Sequence, residues 1–197
     1  MKNNFGIVQG RLIKPPQKKI LQYFPPNWIE EIDIAKKNNI SFIEFFKDRK
    51  KNLSCPFYYD QGFKAVKEVL NYKQFKSYSF CDDYIINNNI LKKKNIYKYF
   101  KVLSKNLKIL NIKIYILPLF EKSDMNKKNY KKFVEVIKLA SKIFRNENIK
   151  LALETNLEYK KLNILFDLVG HKNLYIVYDS GNRLNKNIDI EEEILFL

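Results

Sequence analysis

The chain has 197 residues, 46% of them hydrophobic and 15% aromatic, enough for one domain around a buried core. No stretch of about 18 apolar residues is present, and Met1-Lys2-Asn3-Asn4-Phe5 lacks the apolar centre of a secretory signal, so no membrane partner and a cytoplasmic location are expected. The net charge of +16 raises nucleic acid as a partner, but only four of the 37 basic residues are arginine (Arg11, Arg49, Arg145, Arg183), and the lysines are scattered among asparagines and isoleucines; a solvated basic surface is expected instead.

In chain order, Phe5-Gly6-Ile7-Val8 reads as strand one, ending in the polar group Gln9-Gly10-Arg11. Lys14-Pro15-Pro16 and Phe24-Pro25-Pro26 bracket an extended connection, because proline disfavours helix in the residue before it. Asn27 is expected to cap a helix from about Trp28 to Asn38, with Trp28, Ile32 and Ala35 on one face. Strand two is Ser41 to Phe46, with Glu44 near its end and Asp48 and Arg49 beyond. Cys55 follows, and neither it nor Cys81 has the spacing of a metal or redox pair, so both are expected to be reduced. Phe63, Val66 and Leu70 mark the next helix, and strand three, Phe75 to Phe80, leads to Cys81-Asp82-Asp83-Tyr84.

Longer helices follow. Ile96, Tyr99, Phe100, Leu103, Leu107 and Leu110 form one helical stripe, then strand four runs from Lys113 to Leu117 and is closed by Pro118. Tyr130, Phe133, Val134, Ile137, Ala140 and Phe144 form the next stripe. Strand five, Ile149 to Leu153, and strand six, Leu174 to Tyr178, are each followed at once by a carboxylate, Glu154 and Asp179. Between them lies a weaker helix, about Tyr159 to Val169, and another begins at Ile188. Six strands alternating with helices imply a parallel α/β sheet with right-handed crossovers. No G-x-G-x-x-G turn is present for a doubly wound phosphate site. Polar residues instead gather at many strand ends, as on the catalytic rim of an α/β barrel, and eight such units need about 250 residues, so the chain reads as about two units short. Glu154 and Asp179 are candidates to share one metal ion; the alternative is that they are loop acids or helix caps.

These residues resemble the sugar phosphate isomerase/epimerase group of the xylose isomerase-like TIM barrels, which includes ketose 3-epimerases and, more distantly, endonuclease IV-type nucleases. The resemblance rests on Gly6-Ile7-Val8-Gln9-Gly10-Arg11-Leu12, Phe24-Pro25 with Trp28 and Glu31, Phe42-Ile43-Glu44, Cys81-Asp82-Asp83-Tyr84, Leu117-Pro118, Leu151-Ala152-Leu153-Glu154-Thr155-Asn156 and Tyr178-Asp179-Ser180-Gly181-Asn182. It implies a partial (β/α)8 barrel over residues 1–197, a single incomplete domain with six of eight βα units. It implies a divalent metal ion (Mn, Mg, Co or Zn) held by Glu154 and Asp179, with Glu154 also moving a proton through an enediolate. Gln9, Arg11, Glu44, Asp83 and Asn182 would bind a small-molecule sugar or sugar phosphate.

The family also uses a histidine from strand seven and a glutamate from strand eight, and neither is in this sequence. Its one histidine, His171, falls in the turn before strand six and is expected to be structural. Three functions are therefore in play: a metal-dependent isomerase or epimerase, a degenerate barrel that binds a sugar-like ligand or a protein without turnover, and a nuclease of the endonuclease IV type. One histidine cannot supply that nuclease's zinc-rich site. An open barrel edge would also invite an oligomer.

Overall fold

A computed structural model describes residues 5–14, 23–126, 128–170, 172–184 and 190–196. The reading of His171 as structural lies outside the described residues. The strands are β1 (Gly6–Val8), β2 (Phe42–Phe46), β3 (Ser77–Cys81), β4 (Ile114–Leu119), β5 (Lys150–Thr155) and β6 (Leu174–Ile176). The helices are α1 (Trp28–Lys37), α2 (Asp60–Tyr72), α3 (Tyr84–Asn87), α4 (Ile96–Ile109), α5 (Tyr130–Asn146), α6 (Tyr159–Val169), α7 (Ser180–Leu184) and α8 (Ile190–Phe196). The strands form one six-stranded sheet in the order β1-β2-β3-β4-β5-β6, and every adjacent pair is parallel. This is the partial barrel expected from the alternating pattern.

Parallel strands need apolar cover, and the amphipathic helices supply it. Helix α2 packs on α4, α4 on α5 and α5 on α6. Beneath them, Phe144 of α5 stacks on Tyr115 of β4 with ring centroids 4.1 Å apart, and both are fully buried. Phe100 of α4 meets both rings edge-on, so one aromatic cluster joins the two longest helices to the middle of the sheet.

One turn recurs between helix and strand. Residues Asn39, Gln74, Asn111 and Asn148 each adopt positive φ, between 49° and 59°. The next residue's amide then donates back five positions: Ile40 to Ala35, Phe75 to Leu70, Ile112 to Leu107 and Ile149 to Phe144. This is the Schellman arrangement, which satisfies helix carbonyls that would otherwise lack a donor. Asparagine tolerates the left-handed region better than other residues with a Cβ, and it takes that role in three of these turns in a chain with only five glycines.

Several boundaries differ from the sequence reading, each for a local reason. Strand three begins at Ser77, because Gln74 and Phe75 are used in the turn. Strand four continues through Pro118, which pairs with Glu154. The last β3 residue paired with β4 is Cys81, opposite Ile116, so the missing proline amide forfeits no ladder bond there. Strand five extends to Thr155, so Glu154 lies within the strand and not after it. Strand six stops at Ile176, although the Val177 amide still bonds to the Leu153 carbonyl at 2.9 Å. Asn27 precedes α1 but makes no side-chain cap; its amide donates to the Glu30 carboxylate at 2.9 Å instead.

The turns generate a direct expectation. Asn148→Ala places an ordinary Cβ residue in the left-handed region and should lose about 1 kcal/mol of stability, whereas Asn148→Gly should not. Urea midpoints of the two variants check this; equal losses would mean that the side chain, not the backbone conformation, is what the turn needs.

Candidate functional site

Glu154 is held by the longest ladder in the sheet, in which six residues of β4 pair with six of β5. Its carboxylate is half-buried. Burial pushes its pKa up to about 7 from 4.5, and the negative charges of Asp179, Asp83 and Glu44 add to the shift while Arg49 opposes it. An acid gathered among acids at a strand end is the electrostatic signature of a site that takes a cation or a proton.

Asp179 lies in the segment between β6 and α7. Its Oδ1 accepts the Asn182 backbone amide at 3.1 Å, the N-cap bond of α7, so the capping alternative holds for this residue. Its Oδ2 accepts the Asn182 side-chain amide at 2.9 Å. The same Nδ2 lies 3.4 Å from Glu154 Oε1. One amide nitrogen thus reaches both carboxylates, and its partial positive charge stands between them. Arg183 anchors α7 from behind: it donates to the Leu157 carbonyl at 2.9 Å and pairs with buried Glu193 of α8 at 3.3 Å.

Glu154, Asp179 and Asn182 line a cleft of about 470 Å³ together with Arg11, Asp83 and Arg49. Arg11 is carried on the loop after β1, which the fully buried Glu31 carboxylate of α1 fixes by accepting the Gly10 amide at 2.8 Å and the Leu12 amide at 3.0 Å. Gly10 has φ +84°, and a Cβ there would meet the Tyr23 carbonyl at 2.7 Å, so the loop requires glycine. Asp83 is raised to about 6 by burial, offset in part by Arg49, whose Nε lies 3.5 Å from it.

Two predicted residues stand back from the cleft lining. Glu44 accepts a short hydrogen bond from Ser79 Oγ, and burial raises its pKa, partly countered by that bond. It acts on Glu154 through its charge. Gln9 is 1% exposed, and neither polar atom of its side chain has a hydrogen-bond partner among the described residues; only its backbone amide bonds, to the Glu44 carbonyl at 3.0 Å.

Arg49, Glu121 and Asn156, none of them among the expected site residues, line the cleft as well. Arg49 bridges Asp83 and, at 2.6 Å, Glu121. The signal for Arg49 was its place just past β2, in the loop set that forms a barrel's active face. Among the described residues no three His, Cys, Asp or Glu side chains form a metal-holding group. The donors at the cleft are carboxylate and amide oxygens, which suit a hard ion such as magnesium or manganese better than zinc.

With its native pKa raised to about 7 from 4.5, Glu154 favours the folded state when protonated. The associated stability is complete below the unfolded value and is lost as pH rises through the folded one. In a chelating buffer, Glu154→Gln should leave thermal stability unchanged at about pH 4 and raise it at about pH 8. Melting curves at the two pH values check this, and an identical effect at both would refute it.

No protein-family model and no curated protein matches the sequence. Solved structures do. A D-psicose 3-epimerase from Clostridium cellulolyticum, determined with D-tagatose, is similar with a TM-score of 0.71 at 14% identity, over 98% of this chain and 69% of that one. A xylose isomerase-like TIM barrel protein from Mycobacterium smegmatis in complex with magnesium gives 0.70 at 13%, over 97% and 70%. A 3-keto-D-glucoside 4-epimerase from E. coli gives 0.69 at 12%, over 98% and 74%. The likeness covers nearly the whole of this chain and about seven-tenths of each of those chains, and it is a likeness of fold: the chain has a partial TIM-barrel architecture, with six strands among the described residues.

Proposed function

We propose that this chain is the sugar- and metal-binding portion of a divalent-metal-dependent isomerase or epimerase acting on a sugar or sugar phosphate. One observation carries the reading: a single amide, Asn182 Nδ2, reaches carboxylate oxygens of both Glu154 and Asp179. Two carboxylates brought this close without a cation would repel, so the geometry favours a positive occupant. Among proteins of the same fold, one is a D-psicose 3-epimerase determined with D-tagatose and another was determined with magnesium.

Glu154 and Asp179 would hold the ion, with water and substrate oxygens completing its shell. When bound, such an ion draws electron density from a carbonyl and its neighbouring hydroxyl and so acidifies the C–H between them. Glu154 would take that proton and hand it to the neighbouring carbon on the same face, which interconverts ketose and aldose, whereas epimerisation needs a second acid to return a proton on the opposite face. Asn182 releases the carboxylates and turns its amide to a sugar hydroxyl. Arg11, on the loop fixed by Glu31, and Asn156 line the same cleft and hydrogen-bond hydroxyl or phosphate oxygens. Arg49 keeps Asp83 charged and oriented.

A second reading, binding without turnover, is favoured by the engagement of the other acids. Arg49 occupies Asp83 and Glu121, and Asn182 occupies Asp179, so Glu154 works on one face of a substrate without a described acid on the other. Deuterium wash-in separates the two. The chain is incubated in D2O with manganese and D-fructose, D-psicose or D-tagatose, and the carbon next to the carbonyl is followed by NMR. Exchange that Glu154→Gln abolishes, with manganese affinity reduced about tenfold or more, supports the enzyme. Manganese-dependent sugar binding without exchange supports the second reading, and manganese affinity unchanged in Glu154→Gln overturns the metal site.

A further inference from the structure

A second cleft, of about 370 Å³, lies between α2 and the start of α4. It shares no lining residue with the carboxylate cleft. We propose that it binds a phosphate-type oxyanion, held by Lys47, Lys93 and the open N-terminus of α4. The proposal is independent of the isomerase reading.

Lys47 is the centre of the argument. It directly follows β2 and is only 8% exposed, which is rare for a lysine without an ion-pair partner. Its ammonium lies 4.8 Å from the Tyr58 ring, 4.7 Å from Tyr84 and 5.2 Å from Tyr99. The ammonium makes no hydrogen bond or close ion pair with any described residue, although its charge reaches Asp82 and lowers that group's proton affinity. Ring faces attract a cation but accept none of its three N–H bonds in full. The neighbouring carboxylate, Asp82, is fully buried: its Oδ2 accepts from the hydroxyls of Tyr99 at 2.7 Å and Tyr115 at 2.9 Å, its Oδ1 has no hydrogen-bond partner among the described residues, and its single charge is shared between Lys47 and Lys93.

A second cation shares the same rings. Lys93 Nζ lies 4.8 Å from Tyr84 and 4.4 Å from Tyr99. Burial lowers its pKa; Asp82 opposes the shift and the charge of Lys47 adds to it. Two like charges on one pair of aromatic rings form an arrangement that an anion would complete. The helix beside them is equally open. Helix α4 has 14 residues, no acidic residue in its first turn and no side-chain bond from its N-cap Asn95. The first N–H groups of such a helix and its dipole attract negative charge. Lys94 and Lys98 flank that end, and the carboxylate lining the cleft, Asp60, already accepts from Asn106 at 2.7 Å. Four lysines, Lys47, Lys93, Lys94 and Lys98, thus line the cleft against one lining carboxylate, Asp60, and charge-assisted hydrogen bonds to phosphate oxygens are among the strong ones. The volume lies in the range of small-molecule sites, so a free phosphate or the phosphate end of a phosphorylated metabolite can enter.

Calorimetric titration of the intact chain with inorganic phosphate, fructose 6-phosphate and fructose tests this. The two phosphates should bind saturably, more weakly as salt rises, and fructose should not compete. Tighter binding of the sugar phosphate that Lys47→Met weakens assigns this cleft to a phosphorylated metabolite, and equal binding of the two, weakened alike by Lys47→Met, assigns it to free phosphate; both uphold the proposal. Lys47→Met keeps the length and apolar stem among the rings and should weaken phosphate about tenfold or more. Should that variant fail to fold, Lys98→Gln, an exposed position, should weaken phosphate several-fold. Glu154→Gln should leave phosphate affinity unchanged. Absence of saturable phosphate binding, or affinity indifferent to Lys47→Met and Lys98→Gln, overturns the proposal.

Discussion

The ladder between β4 and β5 is the constraint on which the rest depends. Six consecutive residue pairs, from Ile114 with Lys150 to Leu119 with Thr155, set the height at which Glu154 leaves the sheet. The ladder is braced from the helix side by Tyr115 stacked on Phe144. The neighbouring pairings are shorter, three residues each with β3 and β6. A glutamate placed one residue from the end of a ladder braced in this way has little freedom to relax toward solvent. Its raised proton affinity follows from that: the backbone holds the carboxylate where burial, and then the other acids, act on it.

Charge is distributed unevenly over the molecule. The chain carries +16 overall, yet acids crowd one cleft, where Asp83, Glu121, Glu154 and Asp179 meet Arg11 and Arg49. The lysines concentrate elsewhere, four of them around the cleft at the start of α4. A strongly basic surface around an acidic cleft repels free metal ions at long range and attracts anions, an effect that screening limits to about a Debye length. Net charge therefore says little about the chemistry of either cleft, which depends on what each side chain faces within a few ångströms.

The alternation of apolar runs and amphipathic stripes was sufficient to read the fold, because a parallel sheet buried on both faces leaves that pattern directly in the chain. The positions of Glu154 near the end of β5 and of Asp179 shortly after β6 were legible for the same reason, as polar residues following apolar runs. The hydrogen bonds that give Asn182 two carboxylate partners were not, since they depend on α7, a five-residue helix too short to leave a periodic signal. Lys47 was missed because a lysine in a lysine-rich sequence carries no mark; its distinction is three tyrosines drawn from separate segments, Tyr58, Tyr84 and Tyr99. The bridging role of Arg49 depends likewise on Glu121, 72 residues away. Local pattern records which face is buried, whereas pairing between distant loops is written only in the folded chain.

The four matching turns after α1, α2, α4 and α5 have a consequence for how such a sheet is put together. Each closes its helix with the same five-residue return at a residue of positive φ, before the next strand begins. A unit that ends identically every time can be followed by any other unit, so helix length is free to vary, from 10 residues in α1 to 17 in α5, without disturbing the strand that comes next. The turns act as a standard coupling, and the two clefts are built from loops and helix starts at the opposite rim, away from it.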